Sequence, residues 1–538
     1  MTSRTAWRLL ALGLAAVAML PLRHDFPPIL DFPEHAATIA TFVDLWRGGP
    51  LADWYQTDFL HTQYWLMAVT GALLAPLVGG PAAALKVLLV AASVGLVGAL
   101  LRLASRLELD ERLVVVAVPL LWSRPFTLGF VPFVLATPLV VLALSELSAV
   151  APPSRRGQAL VAALALAAFF LNLASVVWLV GAAVLVALAR EAGKRGALHV
   201  LHGELRAPRQ AGVTGGLGAR EEERSAEHLK GRVREALRPV LARVGSLTVL
   251  VLPLGAWLAF SSVTNVDASR FAVSMKGEWW SPGRLLREAP GWLMDRWSGD
   301  LDVVLLAALL FACLALLLPL GEREPSTGRW PAVALFVSTA ALTLALPFSR
   351  GWLWGLSTRF LPMTLTLAPL ALSWRRGLVR HLAVAAFVLV SLANAWDVER
   401  HVAAAQAEFA GVRVLEGLPP GSRLLQLSFD EGSGQVNDSI VGHAGAWHRV
   451  WNRGPNEPSF VDLPQSVLRY RDGKAPWMRP WPWEFSPNDY DNASEGPHYT
   501  FVLTRGQGPS FPPAPGAAGP AWKLLREAAP WRLWERAP

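Results

Sequence analysis

Apolar runs of about twenty residues recur through the first four hundred positions, and this pattern restricts the fold more than any other feature of the chain. Clear runs are 6–22, 82–103, 129–148, 244–264, 301–320, 331–348, 359–374 and 382–397. In hydrocarbon no water is present to satisfy backbone N–H and C=O groups, so such runs must be helices that bond internally. Composition agrees. Charged residues make up 17% of the chain and mean hydropathy is +0.35, against about 25% charged residues in soluble domains. A polytopic membrane protein follows. The net charge of +8 and a pI near 10.0 then need no nucleic acid as partner, because inward loops of membrane proteins are basic. The basic residues are mostly arginine, with lysine only at 86, 194, 230, 276, 474 and 523. With abundant Ala, Leu and Gly this composition resembles a bacterial proteome. Cys313 is the single cysteine, so no intramolecular disulfide forms and any domain outside the membrane must hold together by packing.

Three segments decide the topology. Residues 113–122 read as a short span ending at Ser123-Arg124-Pro125, and the run 158–190 is too long for one crossing and divides at Asn172. Residues 62–80 contain Pro76 and close on Gly79-Gly80-Pro81. If 62–80 dips into the interface without crossing, Arg102, Arg106 and Arg112, Arg155 and Arg156, the basic 190–243 loop, and Arg375, Arg376 and Arg380 all fall on the inner side, as the excess of cations inside requires. The expectation is a membrane all-α domain, 1–397, of about eleven helices. Its N-terminus is inside, its first span is uncleaved, and helical spacing in the inner loop runs from Ala226 to Arg243. It sits in a bacterial cytoplasmic membrane.

Beyond residue 397 the character changes: apolar runs shorten, and Pro, Trp, Asn and Asp rise. Residues 398–538 predict a small outward α/β or α+β domain. Ala403 to Leu415 reads as helix. Leu424 to Leu427, Tyr499 to Leu503, and the pair Trp522 to Arg526 and Trp531 to Glu535 read as strands. The Trp-Pro cluster from Trp477 to Trp483 packs a small core or stacks on sugar faces.

The spans carry few ionisable groups, and Lys86, Glu146 and Arg359 lie near span ends. Ion coupling would need such groups at mid-membrane, so the chemistry is expected at the outer surface. The loop 23–61 is acidic there, with Asp25, Asp31, Glu34, Asp44, Asp53 and Asp58 against Arg23 and Arg47. Within Ile29-Leu30-Asp31-Phe32-Pro33-Glu34-His35, Pro33 suits the first turn of a helix. Asp31 then stands just before that helix, where N–H groups and the dipole favour an ionised carboxylate. Such a group can deprotonate an acceptor hydroxyl, or it can simply cap the helix. Arg359, with Arg350 in the short loop before it, is placed to pair with a lipid phosphate, or to snorkel to the interface. The segment 264–300, with Arg270, Lys276, Trp279, Trp280, Arg284 and Arg287, is basic and aromatic and suits the outer leaflet. Asp489-Tyr490-Asp491 and the pair His443 and His448 are weaker signals. The first sits in a turn, and the histidines read as surface residues, without a zinc spacing.

Taken together, the layout resembles the GT-C superfamily of polytopic glycosyltransferases that take sugars from polyprenyl phosphates. The residues behind the resemblance are the acidic loop Asp31-Phe32-Pro33-Glu34-His35 after the first span, the non-crossing segment from His61 to Gly80, Arg359 on a late helix, and an outward C-terminal domain. The resemblance implies Asp31 as catalytic base; the mechanism expected with it has Glu34 or His35 orienting Asp31 or the acceptor, and Arg359, with Arg350, stabilising the lipid phosphate. It implies a polyprenyl-phosphate-linked sugar as donor and a glycan, lipid or protein as acceptor, for work on the cell envelope. Many members carry Asp-x-Asp, Asp-Glu or Glu-x-Asp in the first loop. Here the spacing is Asp31-x-x-Glu34, which leaves a divalent metal open, and no other cofactor is implied. Two rival readings are a transporter of a lipid-linked or small solute and a non-catalytic assembly scaffold. The first predicts an internal repeat and polar groups deep in the spans. The second predicts no cavity joining Asp31 to Arg359.

Overall fold

A computed structural model of the protein describes residues 3–60, 62–194, 238–260, 276–323, 327–351, 353–373, 375–475 and 486–538. Most of the inner loop 190–243, together with Arg270 and the cluster from Trp477 to Trp483, lies outside the described residues. The chain is mostly helical, with several long apolar helices and a mixed sheet near its C-terminus.

Among the described residues, four helices are long and apolar enough to cross a membrane: Pro81–Arg106, Leu173–Ala192, Arg238–Phe260 and Leu378–Leu415. Shorter apolar helices at Leu66–Val78, Val131–Leu147, Leu301–Ala315 and Arg329–Ala345 pack among them. The run 113–122 departs from expectation. It is not an α-helix but two 3-10 stretches, Glu111–Ala117 and Pro119–Trp122, because Pro119 cannot donate to an α-helical ladder. The tighter winding rises about 2.0 Å per residue, so a short apolar segment reaches further than an α-helix at about 1.5 Å.

The run 158–190 breaks at Asn172, between helices Arg155–Leu171 and Leu173–Lys194. Asn172 is extended (φ −158°, ψ 120°). Its side-chain oxygen accepts from the Ser175 N–H at 3.1 Å, capping the second helix as it ends the first. Helix Leu66–Val78 turns into Pro81–Arg106 through Gly79 (φ +94°) and Gly80 (φ +125°), backbone angles that a side chain would resist.

Past the membrane domain, helix Leu378–Ala410 runs through position 397 without a break, so the last apolar helix carries straight into the C-terminal region. There a five-stranded sheet is ordered Asn456–Glu457, Leu424–Ser428, Phe501–Arg505, Trp531–Arg536, Trp522–Ala528. The first three strands are parallel and the last three antiparallel. The acidic loop docks beneath it. Tyr55–Thr57 pairs antiparallel with Leu468–Tyr470, and the loop's carboxylates meet basic side chains of the C-terminal region one by one. Asp25 reaches Arg413 at 2.8 Å, Asp44 reaches Arg453 at 3.4 Å, and Asp58 reaches Arg469 at 3.2 Å.

Candidate active site

The loop after the first helix is pinned by its backbone. The N–H groups of Leu30 and Asp31 donate to the carbonyls of Thr127 and Leu128 at 2.9 and 3.3 Å. His35 Nε2 donates to the Gly129 carbonyl at 3.0 Å. Gly129 has φ +84°, and a Cβ there would stand 2.6 Å from the Asp31 Cβ. A glycine is therefore required on both counts, and the close approach fixes where Asp31 points.

Helix Phe32–Arg47 follows, with Asp31 in the N-cap position and Pro33 in its first turn. The Asp31 side chain, however, makes no capping hydrogen bond. The residue occupies the cap while its carboxylate turns into a cavity of about 470 Å³. Arg359, Arg124, Asp438, His443, His35 and Asn172 also line that cavity. Its walls thus come from the first loop, from the turn at 123–128, from the helical hairpin, from the segment before helix Leu361–Leu372, and from the C-terminal region.

Two of the three acid-base candidates enter this space. Asp31 lies 3.4 Å from His443 Nε2. His35 is almost fully buried, with Phe460 packed edge-on at 5.6 Å. Burial is the largest influence on the His35 imidazole and lowers its pKa, against the opposing pull of the Asp31 charge and the Gly129 hydrogen bond. Glu34 goes elsewhere. It is wholly buried, ion-paired with Arg449, and accepts from Asn456 Nδ2 at 3.2 Å and the Phe460 N–H at 3.1 Å. Its carboxylate fastens the loop to the C-terminal region and is not in the cavity lining, whereas His35 and His443 are.

Of the two arginines expected at the phosphate, Arg359 lines the cavity and Arg350 does not; Arg350 is exposed. The Arg359 guanidinium lies 3.9 Å from the Phe130 ring centroid, and Nη2 donates to the Trp354 carbonyl at 2.7 Å. Its Nε is buried and makes no hydrogen bond among the described residues. Asp31 is near enough to act on it electrostatically.

The second cation is Arg124, which sequence reasoning treated only as part of a turn. It donates to Asp438 at 2.6 Å and stacks near Trp292 and Trp354 at 5.0 and 5.5 Å. Arg296, buried, pairs with the same Asp438. Two guanidiniums thus share one carboxylate, and Asp295 is near enough to act on both of them. The only signal in the sequence was an arginine held between Ser123 and Pro125 at a span end.

The histidines also differ from expectation. Neither is at the surface: His443 is 5% exposed and His448 is fully buried. Only His443 reaches the cavity. His448 Nε2 donates to the Ser422 carbonyl at 2.8 Å, and its Nδ1 accepts from Asn452 Nδ2 at 3.0 Å. Asp491 bonds within its own turn, accepting from the N–H of Ala493 and of Ser494. Among the described residues no three His, Cys, Asp or Glu side chains converge as a metal site.

No protein-family profile matches the sequence, and no curated protein matches it. Solved structures do. The chain is similar in structure, over nearly its whole length, to ArnT. For ArnT from Cupriavidus metallidurans bound to undecaprenyl phosphate, the likeness covers 98% of each chain at TM-score 0.40 and 14% identity. For ArnT of the same organism in the apo state, it covers 99% of this chain and 98% of that one, at TM-score 0.37 and 14% identity.

Proposed function

We propose that the protein is an integral-membrane glycosyltransferase that moves a sugar from a polyprenyl-phosphate donor to an acceptor hydroxyl in this cavity, on the outer face of a bacterial cytoplasmic membrane. The observation that carries the reading is that Asp31 and Arg359 line the same cavity, with a second guanidinium, Arg124, on its wall. A base facing cations across one cavity suits displacement at a phosphorylated sugar. The scaffold alternative expected no such space.

In the proposed step Asp31 accepts the proton of the acceptor hydroxyl as that oxygen attacks the anomeric carbon. The bond from that carbon to the phosphate oxygen breaks, and the lipid phosphate leaves with the electron pair. Arg359 and Arg124 stabilise the charge that develops on the phosphate. His443 and His35 hold Asp31 between them. His443 lies against its carboxylate, and His35 ties the helix start to Gly129. Attack opposite the leaving group inverts the sugar's configuration. The donor carries its own activated phosphate, so no nucleotide site is needed.

The test is transfer of radiolabelled sugar from polyprenyl-phosphate donors in membranes holding the wild type or Asp31→Asn. Loss of transfer in a variant that inserts and folds normally is the expected result. Undiminished transfer by Asp31→Asn would remove Asp31 from the chemistry, and no transfer by the wild type from any such donor would favour the scaffold.

A further inference from the structure

The end of the helical bundle remote from this cavity holds another, of about 400 Å³. Three pieces of chain meet there: the first turn of helix Ser3–Ala18, the bend at 108–112 after helix Pro81–Arg106, and residues 376–381 at the start of helix Leu378–Ala410. Each piece leads on toward the other cavity. The first helix, 16 residues long, spans about 24 Å, close to a hydrocarbon thickness of about 30 Å. In the proposed orientation the two cavities then face opposite surfaces of one bilayer.

The lining of this remote cavity is ionic, unlike the helices around it. Asp110 accepts from Arg112 at 2.6 Å and lies 3.6 Å from Arg380, which is 4% exposed. Glu111 accepts from Arg8 at 2.7 Å. Asp110 and Glu111 are therefore held by arginines, and Glu108, the third carboxylate of the lining, accepts from the Thr327 hydroxyl at 3.2 Å. Arg4 and Arg376 also line the cavity, and both are exposed. Trp7, half-buried, forms part of the rim, as an interfacial indole does at headgroup depth. Guanidiniums in excess of carboxylates, one of them buried, beside an interfacial tryptophan, fit a phosphate oxyanion.

We infer that this remote cavity binds a phosphate group, carried by a phospholipid of the leaflet opposite the catalytic cavity, through Arg4, Arg376 and Arg380. Free phosphate offers the same oxygens, and the experiment separates the two sources. The inference asks nothing of Asp31 and stands or falls apart from the transfer reaction.

The thermal midpoint of the full-length protein in neutral detergent is followed against added dioleoylphosphatidylglycerol and, separately, inorganic phosphate. The expected result is a saturable rise with the lipid. In Arg4→Gln/Arg376→Gln the half-saturating lipid concentration should rise about 10-fold or more as charge-assisted bonds are lost. Both positions are exposed, so the variant should fold. The control Arg155→Gln/Arg156→Gln removes two exposed charges outside the cavity and should leave the lipid response unchanged. A rise with inorganic phosphate that the same double variant weakens supports the site and assigns it a soluble source. The proposal is overturned if neither probe raises the midpoint, if the double variant responds as the wild type does, or if the control loses the response equally.

Discussion

Asp31 and Glu34 lie within one turn of each other and differ wholly in circumstance. Asp31 is 16% exposed beside His443, whereas Glu34 is fully enclosed with Arg449. Their substitutions should separate cleanly. Asp31→Asn should lower transfer by ~10² or more, the ordinary contribution of a general base, with little change in thermal midpoint. Glu34→Gln strands the buried Arg449 guanidinium and should destabilise the fold by about 3 kcal/mol or more, seen as a lower midpoint in detergent. Arg359→Gln should reduce transfer by ~10²-fold through lost stabilisation of the leaving phosphate, and Arg350→Gln should have little effect. Measured rates that ranked Arg350 above Arg359 would redraw the phosphate site.

At the scale of elements, the C-terminal region is held to the membrane domain by the long helix Leu378–Ala410 and by the acidic loop, whose Asp25, Glu34, Asp44 and Asp58 pair with arginines of that region. Within that region the short helix Trp447–Asn452 depends on a neutral histidine. Burial lowers the His448 pKa from 6.5 to about 4. Only the neutral ring can both donate to Ser422 and accept from Asn452. The folded state therefore takes up this proton less readily than the unfolded chain, so stability is full above about pH 6.5 and falls as pH drops from there toward about 4. Thermal midpoints measured between pH 7.5 and 4.5 should show a steeper acid decline in the wild type than in His448→Gln. Equal slopes would place the acid sensitivity elsewhere. At the far end of the bundle, Arg243 donates to the carbonyls of Leu147, Ala149 and Val150, and Arg190 to that of Ser148. Two cations thus close the C-terminal end of helix Val131–Leu147, where carbonyls lack partners and the dipole favours positive charge.

For the whole molecule, the proposed orientation puts the catalytic cavity and C-terminal region outside and the arginine-rich cavity inside. The single cysteine makes this simple to test. In a Cys313→Ala background, Asp472→Cys should react with an impermeant maleimide in intact spheroplasts, and Arg156→Cys only after permeabilisation; both parent residues are exposed. Labelling in the reverse order would place Asp31 on the cytosolic side and end the case for a lipid-linked donor outside.

Much of the architecture was readable because it depends on local rules. Apolar run length marked the long helices, Asn172 marked the break in the hairpin, and short runs rich in apolar residues marked the strands at Leu424–Ser428, Phe501–Arg505 and the final pair. The run 113–122 reads as a short span, and its winding as two 3-10 stretches around Pro119 was not foreseen. What the sequence by itself determined was a membrane-embedded helical chain with a small sheet-bearing C-terminal region and carboxylates gathered in one loop, since hydropathy and turn chemistry act over a few residues. Only the tertiary structure decided which of those carboxylates faces open space, that Arg124 and not Arg350 stands beside Arg359, and that a histidine more than four hundred positions away closes on Asp31. Those choices depend on long-range packing: a charge inside a protein must meet a partner or a cavity, and which of the two it meets is set by the other parts of the chain folded against it.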